Sequence, residues 1–134
     1  MDDNKDVQEK LVLYQVLQKY LEELREQAVV IEKRFIEIEA TGQVLDDIKK
    51  LKEANDILIP LGSGCYGHGK ITDVNNTLID VGAGVFMNKN PEEAKIFLEK
   101  KKAEIDKIAK NIQNEITTVV NRINLLGQEI EQRT

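Results

Sequence analysis

Two long stretches of this chain each carry one apolar stripe at helical spacing. In the first, Tyr14, Leu17, Leu21, Leu24, Ala28, Ile31, Phe35, Ile38 and Leu45 follow in alternating steps of three and four, with Gly42 the one break. That period is close to 3.5, and it keeps an apolar seam on a partner helix only if the two wind around each other left-handedly. Glu22, Glu23, Arg25, Glu26, Glu32, Lys33 and Arg34 lie off the stripe and read as a solvated face rather than a binding patch. The pattern predicts a first helix over residues 6–55, a rod of about 75 Å at 1.5 Å per residue.

The second stretch opens on a helix-start signature. Asn90 stands at the N-cap, Pro91 at the first helical position and Glu93 at the capping-box position. Its stripe runs Ala94, Leu98, Ile105, Ile108, Ile112, Ile116, Val119, Ile123, Leu126 and Ile130. The mean step is nearer 3.6, so this helix, residues 90–134, is expected to wind less strictly over a length of about 67 Å. Two rods of similar length, each with one stripe to cover, fold antiparallel when a short connector joins them. A globular chain of this length has a radius of gyration of about 14 Å. Rods this long do not fit inside it, so an elongated molecule is expected.

Between the rods, residues 57–88 hold six of the eight glycines. Ile57–Leu61, Cys65–Thr72, Thr77–Val81 and Val85–Met87 read as strands, and Asp73–Asn76 and Gly82–Gly84 as turns. The result is two β-hairpins. About thirty residues of strand cannot enclose a core, and their open edges invite other strands. Hairpins of several subunits are therefore expected to join in a shared sheet or barrel, a β hub with projecting coiled-coil arms. The expected interface is the apolar side of these strands: Ile57, Ile59, Leu61, Tyr66, Ile71, Leu78, Ile79, Val81, Val85 and Phe86. The fold class is mainly α with a small β part, a long antiparallel two-helix coiled coil joined by two β-hairpins. The whole chain, 1–134, is read as one domain.

Composition agrees with that class and removes others. Aromatics are 4% with no Trp, against 32% charged residues, which suits a coiled coil better than a dense globule. Two prolines leave room for uninterrupted helices. No apolar run approaches the ~20 residues of a membrane helix. The polar, acidic start Met1-Asp2-Asp3-Asn4-Lys5-Asp6 is neither a signal peptide nor a presequence. The lone Cys65 has no intrachain disulfide partner and no Cys/His cluster around it, in keeping with a reducing cytoplasm. A net charge of −5 gives no broad basic surface for nucleic acid.

Three motifs imitate chemistry. Gly62-Ser63-Gly64-Cys65-Tyr66-Gly67 has the glycine spacing of a dinucleotide fingerprint, but that motif needs a helix N-terminus at the pyrophosphate. Here another strand follows. Gly64 to Lys70 has the spacing of a phosphate loop, with Asp80 as a metal-side acid, yet Ile71 stands where Ser or Thr must hold magnesium. The glycines are better explained as turns and kinks in short strands. Cys65 and His68 are an odd number of residues apart, so one strand points them to opposite faces; Cys65 reads as a small apolar strand residue. No catalytic, cofactor-binding or metal-binding residue is expected, and the chain does not read as an enzyme.

Where the first helix starts and the second finishes there are more apolar residues than a seam hides. Val7, Tyr14, Leu17 and Leu21 fill the seam; Leu11, Val12, Leu13 and Val16 lie beyond it. On the second helix Leu125 flanks Leu126, with Ile130 beyond. Gly127 is expected to weaken this stretch by up to about 1 kcal/mol relative to Ala. Three readings stand together: scattered surface hydrophobes, packing on other helices of an assembly, or an exposed apolar tip that grips other apolar surfaces.

A long helix, hairpins carrying Ile59-Pro60-Leu61-Gly62-Ser63-Gly64 and Val81-Gly82-Ala83-Gly84-Val85, and Asn90-Pro91-Glu92-Glu93-Ala94 opening a second long helix resemble the prefoldin family over essentially the whole chain. The second hairpin is similar to that of its alpha-type subunits, and the lack of extensions suggests the archaeal form. The resemblance implies a hexamer of two alpha-type and four beta-type subunits with a double β-barrel body. It implies an ATP-independent holdase that captures non-native client proteins and passes them to a group II chaperonin in the cytoplasm, without nucleic acid or membrane. Substrate contacts of the family map to Val7, Leu11, Val12, Leu13, Val16, Leu125, Leu126 and Ile130. The runner-up is a structural coiled-coil scaffold, or a filament-forming prefoldin-like protein, with specific partners.

Overall fold

A computed structural model describes residues 2–51 and 56–133 of the chain. The element order is α1 (Asp2–Lys49), β1 (Asp56–Gly62), β2 (Cys65–Lys70), β3 (Thr77–Gly82), β4 (Val85–Lys89) and α2 (Pro91–Arg133). These elements fall into two compact units. One holds the chain up to Phe35 together with the chain from Glu104; the other is Ile36–Ala103.

The helix ends differ from expectation for local reasons. α1 begins at Asp2 and stops at Lys49, short of residue 55; residues 52–55 of that expected helix lie outside the described residues. Its last turn tightens, with Lys50 N–H donating to the Asp47 carbonyl and Leu51 N–H to the Ile48 carbonyl, each at 3.0 Å. Such short-span bonds satisfy terminal carbonyls, and Lys49 sits by the negative end of the dipole. α2 starts at Pro91, with Asn90 as its cap, and Thr134 lies outside the described residues. The Glu93 N–H donates to Asn90 Oδ1 at 2.8 Å, and the Ala94 N–H to the Asn90 carbonyl at 2.9 Å. The first bond satisfies one of the orphan donors of the first turn, Pro91 brings no donor to satisfy, and the second is the first ordinary bond of the helix. Glu92 and Glu93 complete the first turn as acids.

In the unit formed by the chain start and the chain end, Leu24, Val119 and Ile123 make a buried cluster against which Tyr14, Leu17, Leu21 and Ile116 pack. Ile31, Ile112 and Leu126 are buried as well. One stripe residue does not belong: Ile108 is 44% exposed, and half-buried Ala109 stands on the seam instead. With Ala109 in place, Ile105, Ala109, Ile112, Ile116, Val119, Ile123, Leu126 and Ile130 alternate steps of four and three. The second stripe therefore has the same 3.5 period as the first, and the looser 3.6 spacing is corrected. Angular position decides burial on a helix, and the bulkier side chain at 108 lies one step off the seam.

In Ile36–Ala103, the helix segments bury Leu45 and Ala94 and are tied by ion pairs. Lys95 Nζ lies 2.7 Å from Asp46 Oδ1, Lys49 Nζ 2.7 Å from Glu92 Oε1, and Lys102 Nζ 3.1 Å from Glu39 Oε1. The Lys95 hydrogen bond holds the Asp46 carboxyl below the usual carboxylate range, and the same bond raises the Lys95 ammonium. Lys49 does the same to Glu92.

The strands form two separate antiparallel hairpins, β1 with β2 and β3 with β4. The first aligns Leu58 with His68 and Pro60 with Tyr66, and the second Leu78 with Asn88 and Asp80 with Phe86. β2 ends at Lys70, two residues before the expected Thr72. Beyond it, Asp73 Oδ1 accepts the Asn75 N–H at 2.9 Å and Asp73 Oδ2 accepts Asn76 Nδ2 at 2.7 Å. This side-chain-mimicked turn is the expected Asp73–Asn76 turn. The Asn76 and Asn75 bonds also hold the Asp73 carboxyl low.

Candidate interaction surfaces

At the end where α1 begins and α2 finishes, a packed interior lies under an apolar exterior. Leu11, Val12, Leu13, Val16 and Leu125 are exposed, Val12 by 60%. Val7 and Ile130 are half-buried. Leu126 differs from them: at 2% exposure it belongs to the helix–helix core and offers no surface. The heptad explains the split, since Leu126 is on the seam and Leu125 one position off it. Lys10 braces this end, with its Nζ 3.2 Å from Glu129 Oε2 on α2 and 3.6 Å from Asp6 Oδ2 on α1. Tyr14 lies against Gly127, where an added Cβ would sit 3.7 Å from Tyr14 Cε2. Tyr20, which sequence reasoning missed, is a further exposed ring. Partial desolvation, then the nearby Glu115 carboxylate, pushes its phenol pKa up.

The hairpins form the second apolar surface. Ile59, Leu61, Tyr66, Leu78, Val81, Val85 and Phe86 are exposed, while Ile57, Ile71 and Ile79 are half-buried. Leu58 and Met87, absent from the sequence-derived set, are exposed too. The register shows why: Leu58 shares a face with Tyr66 through the Pro60–Tyr66 and Leu58–His68 pairs, and Met87 pairs with Ile79. Hydrophobic side chains stand on both faces of these two-stranded sheets, so neither face is the purely polar one that a solvated sheet turns to water. The glycines of β2 serve packing: a Cβ on Gly69 would come within 2.6 Å of Ile59 Cδ1, and one on Gly67 within 3.8 Å of Leu61.

The glycine motifs sit in these same hairpins. Gly62 and Gly64 bracket the first turn, Gly67 and Gly69 lie in β2, and no helix follows them. Asp80 accepts the Gly82 N–H at 2.9 Å within its own turn, and Lys70 Nζ is 4.0 Å from Asp56 Oδ1 across the first hairpin. Cys65 is an exposed thiol in β2. The backbone geometry is that of hairpin turns, without the strand–loop–helix cradle that phosphate binding needs. Among the described residues no helix is long and apolar enough to cross a membrane.

Residues 17–134 match the family model described as Prefoldin subunit. Prefoldin subunit alpha of Pyrococcus horikoshii is 30% identical over 135 residues, covering 98% of this chain and 91% of that protein. Prefoldin subunit 5 of Homo sapiens is 31% identical over 112 residues, covering 81% and 71%. Among solved structures, the cryo-EM structure of filamentous PFD from Methanocaldococcus jannaschii is similar with a TM-score of 0.73 at 20% identity. That likeness covers 91% of this chain and 98% of that one and shows the fold.

Proposed function

The chain belongs to the prefoldin family of non-enzymatic molecular chaperones, and on that premise we propose that it is an ATP-independent holdase subunit whose exposed helix ends grip non-native proteins. The carrying observation is the apolar exterior of Leu11, Val12, Leu13, Val16 and Leu125 over a core already filled by Leu24, Ile123 and Leu126. Side chains that the fold does not need for its own interior are free to bury on a client. Each contributes about 1.5–3 kcal/mol if fully covered. Several such grips on subunits of one assembly add through effective concentration rather than through one tight pocket. The surface therefore selects exposed hydrophobicity, not a sequence.

In this reading the hairpins join the chain to other prefoldin subunits, two alpha-type with four beta-type, and the assembly hands its clients to a group II chaperonin in the cytoplasm. Val7 and Ile130 support the grip from the seam. Suppression of aggregation of a chemically denatured test protein is the deciding measurement. Combining Val12→Asp, Val16→Asp and Leu125→Asp should abolish suppression while leaving the oligomer intact. Undiminished suppression would move client contact away from the helix ends. A wild-type assembly that ignores denatured proteins altogether would instead make the chain a scaffold.

A further inference from the structure

In the unit formed by the chain start and the chain end, α1 and α2 run antiparallel. Lys10 pairs with Glu129, Tyr20 lies beside Glu115, and Val30 and Ile108 line one groove. On α1, Leu13, Val16, Tyr20, Glu23, Gln27 and Val30 follow in steps of three and four, parallel to the seam and on one side of it. Leu13, Val16, Tyr20 and Val30 are all exposed. On α2 the same flank runs from Ile108 through Asn111, Glu115, Thr118 and Arg122 to Leu125, apolar and exposed at its two ends. The opposite flank of α1 carries Gln15, Gln18, Glu22, Arg25 and Glu32, with Leu11 and Val29 its apolar residues. The exposed apolar side chains therefore gather on one flank of the pair.

Away from the helix ends, this flank holds a groove of about 540 Å³. Its floor is Ile31 and Ile112 of the seam, and its walls are Val30 and Ile108. Leu13 precedes Val30 by seventeen residues, and Leu125 follows Ile108 by seventeen. In antiparallel helices these two steps run the same way, so the apolar helix ends lie about 26 Å from the groove on both helices.

That interval selects the occupant. A helix laid on the flank needs an apolar contact every three or four residues, and between Tyr20 and Val30 it would meet Glu23, Gln27, Asn111 and Glu115 instead. An extended segment carries unpaired N–H and C=O groups of its own, which those polar side chains can bond. At ~3.3 Å per residue it covers the interval with about eight residues. Unfolded chains offer such segments, and folded partners hide them.

We infer that the grip extends along this one flank from the helix ends to the Val30–Ile108 groove, and that its ligand is an extended stretch of a non-native protein with apolar side chains about eight residues apart. The inference rests on the reading of the helix ends as the client grip.

Fluorescence anisotropy of the wild-type assembly with labelled peptides tests this. Each peptide has a Leu-Leu pair at either end of a Gly-Ser spacer, and the spacers are too short, matched or too long for the ~26 Å interval. Affinity should rise about tenfold once the spacer matches, the gain from burying one further apolar side chain. Val30→Asp and Ile108→Asp should each remove that gain and leave short peptides, oligomer mass and helical content unchanged; Val30→Leu should keep it. Val16→Asp should instead weaken short and long peptides alike. Affinity that ignores spacing, or a gain that survives both groove variants, overturns the groove and leaves the grip at the helix ends in place. A changed oligomer mass in the groove variants makes the flank a seam between subunits and overturns it as well. Peptides of every length that bind Val16→Asp as tightly as wild type overturn the grip itself.

Discussion

At the residue scale, a few positions are fixed by backbone chemistry rather than by side-chain bulk. Ser63 and Ala83 have positive φ at the first central position of each turn, and Gly64 and Gly84 at the second. That pattern belongs to the hairpin turn whose twist matches the strands. Gly62 and Gly82, beyond +100°, are where glycine is required. Gly62→Ala and Gly82→Ala should each destabilise the fold by more than about 1 kcal/mol in urea denaturation, despite open space around the new methyl. Gly127 is the reverse case. It has ordinary helical geometry, and a methyl there meets Tyr14 at van der Waals distance, so Gly127→Ala should stabilise by up to about 1 kcal/mol. A lower denaturation midpoint would mean that Tyr14 cannot accommodate it. The glycines were visible in the sequence, but which of them carry φ and which merely make room required the register.

At the element scale, the helix pair separates residues that hold it together from residues it displays. Leu24 is 1% exposed, and Leu24→Ala should cost about 2–5 kcal/mol. Val12→Ala should change stability by no more than about 0.5 kcal/mol yet weaken client holding. Finding both effects in one variant would erase the distinction between core and grip. The ion pairs of Ile36–Ala103 predict an acid response. The Asp46 and Glu92 carboxyls are held low in the folded chain by Lys95 and Lys49, so their contribution is full above the unfolded carboxylate pKa. It is lost as pH falls through the lower, folded values. Lys95 is raised, so its contribution persists through neutral pH and disappears only as strongly alkaline pH passes its folded value. An NMR titration should find Asp46 below the usual carboxylate range in wild type and returned upward in Lys95→Met. The two seams were legible from spacing alone. The exchange of Ile108 for Ala109 was not, because a hydrophobicity pattern favours the larger residue when two adjacent positions compete.

At the scale of the whole molecule, the chain displays apolar residues that its own interior does not use, on the hairpins and on the helix ends. In the proposed function both surfaces meet other proteins, and among the described residues the glycine motifs form hairpin turns rather than a phosphate cradle. Calorimetry with ATP and magnesium should accordingly show no stoichiometric binding; a clear isotherm would return Lys70 and its glycines to consideration. Removing residues before Leu17 with those after Gly127 should end aggregation suppression while leaving hairpin-mediated assembly in place, as judged by native mass spectrometry.

Periodicity and punctuation determined the elements: a 3.5 repeat admits one kind of partner, Asn90-Pro91 one kind of helix start, and paired glycines one kind of turn. These are properties of neighbours along the chain, and a sequence states them directly. Exposure is a property of neighbours in space. Only the tertiary structure could place Leu126 in the core beside an exposed Leu125, or lay Ile59 over Gly69, because each outcome depends on what the opposite helix or strand brings to that position.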